Sequence, residues 1–387
     1  MNLKSLVIYM VGALSLVACG EDDPVVTANN ANNATNNSTT GTNNASNNAT
    51  NNSTTGTNNG SNNETNNSTN SCVRLATDYT PGADDSWAAC ISDDNVYHAF
   101  EPSISSAARV AAFETIADLL WRNGVPSAVD FTNAYDAFAP GEGLLSRVSR
   151  REDEHFAPVT DGAGATLSCR DEGVPAMDID RCVGPAQMVP LLTTAFEQGI
   201  LGNEPEVNAA TIEATLLWFF HISVFKESTT CATAKKDCDS AYAYYTGDLP
   251  RDLGIGLAGY LQDSAPIAHE YVWDGILGFR CWRDLDGADV ATDLAMRDQA
   301  LAQVDRGMLY GVSKLVLARL ALMEGHTGAA KAADLAFIKI LGGSLVREIE
   351  ARAPGAGVEL KGELRNDATT FSAVAVADYL TAAFPCP

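Results

Sequence analysis

Apolar residues from Ser103 onward recur at helical spacing, and the alternation of apolar and polar residues that marks a strand is scarce. The clearest segment runs from Asn208 to Ser228, "NAATIEATLLWFFHISVFKES", and is apolar over most of its circumference. Such a helix must be surrounded by other helices. The spacing therefore predicts an all-α fold, a bundle of about ten helices with this segment near its centre.

Further helices follow from the same periodicity. We expect a short helix over Asp237–Thr246, whose acidic first turn suits the positive end of the helix dipole. Residues 289–324 form a long helical pattern, and residues 328–352 form another one. A charged loop is expected between Arg147 and Pro185. The order of helix, loop and acidic helix recurs, which predicts two pseudo-repeated halves joined near Gly184.

The nine cysteines of the sequence indicate how disulfides cross-link such a bundle. Eight of them follow the low-complexity region described below and form an even set typical of disulfides in an oxidising compartment: Cys72, Cys90, Cys169, Cys182, Cys231, Cys238, Cys281 and Cys386. Short loops favour Cys231 with Cys238 and Cys169 with Cys182. The remaining four pair as Cys281 with Cys386 and Cys72 with Cys90, or with these partners exchanged. A zinc site is the weaker alternative because no C-x-x-C spacing occurs.

The ninth cysteine belongs to a lipoprotein signal. Lys4 precedes an apolar run, Ser5–Ala18, that is too short to span a bilayer, and "LVAC" places Cys19 at the position that bacterial lipoproteins acylate. We predict a signal peptide over residues 1–18 and a lipid on Cys19, although an ordinary secretory signal with a chance cysteine is the alternative. Gly20 rather than Asp follows, which favours the outer membrane, on its periplasmic or its cell-surface face.

Residues 19–71 then form a tether. From Asn29 to Asn70 the chain is almost entirely Asn, Thr, Ser, Ala and Gly, which offers too little apolar surface for a core and predicts disorder. Residues 72–387 are the all-α domain. The formal net charge of −24 makes nucleic acid an improbable partner. The expected partners are the membrane, through the lipid, a metal ion, and an envelope protein.

The usual catalytic and nucleotide-binding signatures are absent from the sequence, so we expect no enzyme. Polar groups set into apolar helices instead suggest a metal site. The candidate ligands are imidazoles, carboxylates and phenols between residues 221 and 270: His221, Glu227, Asp237, Asp239, Tyr244, Tyr245, His269 and Glu270. Iron and manganese accept this mixture of ligands. The alternatives are a core histidine satisfied by other side chains at 221 and simple packing of the two tyrosines.

Two further groups of charges lie in the first half. Glu114 and Asp118 are one helical turn apart and repel unless Arg122 bridges them. The segment "RREDEHF" contains Asp153 and His155, and a charge-rich loop of this kind is more often a solvated face than a site.

The segments "HISVFKESTTC", "KKDCDSAYAYYTG" and "GLAGYLQD" resemble the low-iron-inducible periplasmic protein family, known from algal iron-assimilation proteins and bacterial relatives. In that family an A-x-Y-Y-x-G segment follows acidic residues, and the nearest match here is Asp237 and Asp239 before Tyr244, Tyr245 and Gly247. The resemblance implies an exported helical protein that binds or assimilates iron. Imelysin-like proteins are a weaker relative, because "PIAHEY" only partly matches their G-x-H-x-x-E signature.

Together these patterns predict a lipid-anchored extracytoplasmic metal-binding protein that captures or assimilates iron. The alternative is a structural or interaction lipoprotein of the cell envelope that binds no metal.

Overall fold

Fourteen α-helices make up most of the part of the chain that the computed structural model describes, residues 72–82, 85–101 and 105–387. The expected signal peptide, the acylated Cys19 and the tether lie outside these residues. The helices are α1 Ser105–Leu120, α2 Ala128–Phe138, α3 Leu144–Val148, α4 Val174–Met177, α5 Val189–Ile200, α6 Pro205–Thr230, α7 Lys235–Thr246, α8 Leu257–Ser264, α9 Pro266–Leu285, α10 Leu294–Gly325, α11 Gly328–Gly343, α12 Val346–Arg352, α13 Ala356–Arg365 and α14 Ala373–Ala383.

Helix α6 occupies the centre, as its sequence predicts. It packs against α5, α7 and α11 and also contacts α1, α8 and α10. Its apolar circumference is covered on every side, with Phe219 and Phe220 fully buried. Among the described residues α6 alone is long and apolar enough to cross a membrane, but 83% of its most apolar window is buried inside the fold. Its composition is therefore that of a core helix.

Helices α9 and α10 pack closely against each other. Gly307 of α10 faces Val272 of α9 so closely that an added Cβ would lie 2.8 Å from a Val272 methyl carbon. Gly275 of α9 meets Val304 of α10 in the same way. Because these glycines have no side chain, the backbones of α9 and α10 can approach closely. The close approach determines which side of α10 faces the core.

The segment before α1 lies across α9 and α10 instead of forming a local clip. Cys90 pairs with Cys281 of α9, and Cys72 pairs with Cys386, with Cα atoms 5.3 and 5.5 Å apart. The arrangement with the partners exchanged is therefore the one present. The backbone N–H of Tyr79 donates to Gln303 of α10 at 2.8 Å, which ties the same segment to the core. Each of these disulfides closes a loop longer than 190 residues, the kind that restricts the unfolded chain most.

The two short disulfide loops are confirmed. Cys169 and Cys182 have Cα atoms 5.3 Å apart, and Cys231 and Cys238 have Cα atoms 5.0 Å apart. The second disulfide joins the end of α6 to the first turn of α7.

The all-α fold is confirmed, but the chain is divided more finely than its periodicity indicates. The predicted helix over 328–352 breaks at Ser344 and Leu345 into α11 and α12. Leu345 is completely buried at this break, after two glycines and a serine that lower helix propensity. The parts before and after Gly184 share one core, since α1 packs on α7 and α2 packs on α5. A pseudo-repeat between them stays a prediction.

Candidate metal centre

The eight predicted ligands do not meet at one point. Glu227 is 8% exposed and pairs with Arg151 at 3.1 Å and with Lys226 at 3.2 Å. Burial raises the pKa of Glu227, but the two cations outweigh burial and lower it overall. Tyr244 is buried beside the same arginine, whose guanidinium lies 5.5 Å from the ring centroid. Glu227 is therefore neutralised by two cations, and Arg151 also lies beside the Tyr244 ring. Both carboxylate oxygens of Glu227 already have a partner without a metal.

The acidic residues of α7 face other partners. Asp239 is fully buried and accepts hydrogen bonds from the Tyr97 hydroxyl at 2.9 Å and from the backbone N–H groups of Phe100 and Glu101, both at 3.0 Å. It therefore anchors the segment before α1. Asp237 is half-buried in the first turn, where burial raises its pKa.

His269 and its neighbours form a third, separate group. The ring of His269 contacts the Tyr245 hydroxyl through Nδ1 at 2.8 Å and Gln262 through Nε2 at 3.3 Å. Glu270 points away from this ring and forms an ion pair with Arg251. The structure therefore does not bring the predicted ligands from residues 221 to 270 together, because arginines, hydroxyls and backbone donors already satisfy most of them.

His221 is the exception. Its side chain is 2% exposed near the middle of α6, and neither ring nitrogen has a hydrogen-bond partner. A buried polar group without a partner costs about 1–3 kcal/mol. Burial, reinforced by the neighbouring His155, lowers the pKa of His221 to about 4, so the ring is neutral and its unprotonated nitrogen is a free electron-pair donor.

Two further ligand-type side chains, His155 and Asp305, lie close to this ring. One potential ligand atom from each of His155, His221 and Asp305 lies within 4.8 Å of the others, and the described residues contain no second such group of three. Ligands of one ion at bond lengths of about 2.0–2.2 Å lie up to about 4.4 Å apart, so small side-chain shifts bring all three within reach. We call these residues the His155–His221–Asp305 cluster.

His155 comes from the loop after α3 and is held by two carboxylates. Its Nδ1 lies 2.6 Å from Asp153 Oδ1, and its Nε2 lies 3.1 Å from Asp305 Oδ1 on α10. Burial disfavours the charged ring, but the two carboxylates outweigh burial and raise the pKa of His155 to about 9. Its ring also stacks on Phe225 of α6, with centroids 3.7 Å apart.

Arg181, 26 residues after His155 in the sequence, holds the loop that carries His155 in place. Arg181 is 4% exposed and donates to Glu152 at 2.8 Å and to Glu154 at 3.0 Å. It also donates to the Phe156 carbonyl at 2.9 Å, next to the Cys182 disulfide. The loop was expected to be a solvated face. Arg181 neutralises its outer carboxylates, and this leaves Asp153 and His155 turned into the protein.

The arrangement has the chemistry of a metal centre with open positions. Two imidazoles and one carboxylate are the ligands of mononuclear iron(II) sites, and the same donors bind other divalent transition metals. Asp153 lies against Nδ1 of His155, and a carboxylate in that position commonly accepts the second N–H of a metal-bound histidine, so it would direct Nε2 to an ion. A cation of charge two would take over the neutralising role that the His155 proton has between Asp153 and Asp305.

A cavity of about 510 Å³ adjoins the cluster, and Asp153 and Phe156 form part of its wall. The cavity is bounded on other sides by α6, α11, α12 and α13, through residues that include Trp218, Lys339 and Lys361. Asp153, which pairs with His155 of the cluster, is therefore also a wall residue of this cavity.

Sequence reasoning identified His221 as a candidate, considered His155 and set it aside, and missed Asp305. Asp305 lies in "ALAQVDRGMLYG", where its spacing looks like an exposed helix position. A histidine in an apolar helix was a usable signal, but nothing in the sequence indicates which residues lie opposite it. Arg122 does bridge Glu114 at 2.6 Å and Asp118 at 3.1 Å, as predicted, and that pair is not a site.

Comparisons with protein-family models, with curated proteins and with solved structures give no match. The family resemblance is therefore untested by relatives.

Proposed function

We propose that the protein binds a divalent transition-metal ion through His155, His221 and Asp305, with iron(II) as the first candidate. The observation that carries this proposal is His221, a neutral and fully buried imidazole with no protein partner, beside a second imidazole and a carboxylate. An ion at this point satisfies a buried imidazole whose two nitrogens have no hydrogen-bond partner among the described residues. Iron is favoured by the two-histidine, one-carboxylate ligand set and by the family resemblance.

The proposal includes the extracytoplasmic location. Four disulfides in the described residues favour an oxidising compartment. The lipid on Cys19 and the outer-membrane location rest on the sequence signal. The function is then capture of a metal ion by a protein held at the membrane.

Calorimetric titration tests the proposal. The chelator-treated protein is titrated with Fe(II) without oxygen, and with Mn(II), Co(II) and Zn(II). We expect one saturable site for at least Fe(II), and a loss of affinity of more than about tenfold in His221→Leu, because removing a ligand costs at least as much as removing its supporting carboxylate. His98→Gln is the matched control, since His98 is half-buried, lies outside the His155–His221–Asp305 cluster, and its side chain pairs with Asp94.

The absence of saturable binding of all four ions, or equal binding by His221→Leu and the unmodified protein, contradicts the proposal. The chain would then be a disulfide-stapled envelope protein without a metal, as the alternative interpretation of the sequence holds.

A further inference from the structure

The wall of the cavity beside the cluster contains charged side chains that have no part in the proposed metal site. Four cationic side chains line it: Lys339 of α11, Arg347 of α12, and Lys361 and Arg365 of α13. The whole chain carries a formal net charge of −24, so a wall with four cations is a strong local departure. In the described part of the chain, Lys339, Lys361 and Arg365 form no ion pair, whereas Arg347 pairs with Glu348 at 3.3 Å.

The three carboxylates of the same wall are occupied. Asp153 accepts from His155. Asp180 accepts from Gln187 at 3.1 Å. Glu350 accepts three backbone N–H groups at the start of α13, including that of Gly355 at 2.9 Å, and these bonds hold its pKa below the ordinary value. The wall therefore carries four cations and three carboxylates, and Lys339, Lys361 and Arg365 are its cations that no carboxylate pairs with in the described residues.

The rest of the wall is apolar. Trp218 of α6, Phe156 and Val346 offer ring and aliphatic surface. A volume of about 510 Å³ lies within the range of about 300–1,000 Å³ that is usual for small-molecule sites. An apolar pocket with a few convergent charged groups selects ligands that have an apolar body and one oppositely charged end.

We propose that this cavity binds a small organic carboxylate with an aromatic or alicyclic body, whose carboxylate pairs with Lys361, Arg365 and Lys339. Arginine and lysine bind carboxylates through charge-assisted hydrogen bonds, and Trp218 packs against the body of the ligand. Binding needs no metal, because none of these groups belongs to the His155–His221–Asp305 cluster. The protein thus has a second ligand site that adjoins the first through Asp153.

Fluorescence titration with 8-anilinonaphthalene-1-sulfonate, an apolar anion that emits on leaving water, tests this proposal in buffer with EDTA. We expect saturable binding, displacement of the dye by 1-naphthoate, and little displacement by the neutral 1-naphthylmethanol. The doubly substituted Lys361→Gln/Arg365→Gln protein should bind the dye at least about tenfold more weakly, since two charge pairs of modest strength are lost.

The control is Lys236→Gln/Lys331→Gln, which removes the same charge from exposed positions outside the cavity. It should bind the dye within about twofold of the unmodified protein, as expected for charges remote from the ligand. Equal weakening in both doubly substituted proteins, equal displacement by naphthoate and naphthylmethanol, or no saturable binding overturns the proposal. Because the titration is done without metal, its failure leaves the metal proposal standing, and the reverse also holds.

Discussion

His221 and His269 are alike in three respects. Each lies on a core helix, each is at most 3% exposed, and burial lowers the pKa of each to about 4. They differ in their partners: His269 contacts Tyr245 and Gln262, whereas neither nitrogen of His221 has a partner. The difference teaches that burial and a shifted pKa do not mark a site. An unsatisfied donor or acceptor among further ligand-type groups does.

The largest effect on metal affinity in this comparison is expected from a substitution of Asp153. This carboxylate contacts His155 but is not one of the three proposed ligands. In Asp153→Asn the amide oxygen still accepts from His155, but the charge is lost. We expect metal affinity to fall by about 10–100-fold and the metal-free thermal midpoint to fall as well, because His155 loses one of the two carboxylates that raise its pKa. Calorimetric titration and a thermal melt measure the two quantities.

Asp180→Asn is the control, because Asp180 lines the same cavity and does not contact His155. Unchanged affinity in Asp153→Asn shows that Asp153 has no positioning role. Equal loss in both variants assigns the effect to the charge of the cavity wall.

A smaller effect separates the two histidines in the metal-free protein. His269→Leu leaves the fully buried Tyr245 hydroxyl without its partner, so we expect unfolding to become easier by about 1–2 kcal/mol. His221→Leu removes two nitrogens that have no partner, and we expect a change below about 1 kcal/mol or a stabilisation. Urea denaturation in EDTA measures both values.

Tyr245→Phe combined with His269→Leu should recover part of the loss, because both partners of one hydrogen bond are then absent. A His221→Leu variant that is destabilised as strongly as His269→Leu contradicts the comparison, since His221 would then have a packing or bonding role in the fold itself.

The smallest effect is a pH dependence that His269 adds to the free energy of unfolding. The ring faces Tyr245, Arg251 and Asp252, and burial, with Arg251 adding to it, lowers its pKa to about 4. As pH falls from 7 to 5.5, His269 becomes protonated in the unfolded chain but stays neutral in the folded protein. The free energy of unfolding therefore decreases as pH falls. We expect this contribution to be about 1 kcal/mol.

Urea denaturation in EDTA at several pH values between 7 and 5.5 measures that contribution as the difference in slope between the unmodified protein and His269→Leu. Carboxylates and His221 contribute to both proteins alike. Equal slopes contradict the lowered pKa of His269.

The fold was largely predictable from the sequence because helical periodicity is a local property. Residues 208–228 show their central position directly, since no face of that helix suits water. The break before Leu345 has a sequence signal in Gly342, Gly343 and Ser344, but whether the helix breaks there also depends on the space that Leu345 fills in the core. The short disulfides followed from loop length, whereas Cys90 and Cys281 are paired by the path of the segment across α9.

The site was less predictable for a physical reason. His155 and Asp305 are 150 positions apart, and their contact depends on how the loop after α3 meets α10. The loop looks solvated because its charges are numerous, and only Arg181, far along the chain, neutralises them. The predicted ligands Glu227 and Glu270 lie apart because Arg151 and Arg251 pair with them, and the sequence does not show which arginine faces which carboxylate.

The most direct test of the metal centre is the metal content of the full chain. The protein is produced in an oxidising compartment, purified without chelator, and analysed by inductively coupled plasma mass spectrometry beside His221→Leu. Our account predicts close to one divalent transition-metal ion per chain in the unmodified protein and a negligible amount in the variant. Equal metal in the two proteins, or an unmodified protein that stays metal-free even after incubation with Fe(II), Mn(II), Co(II) or Zn(II), contradicts it.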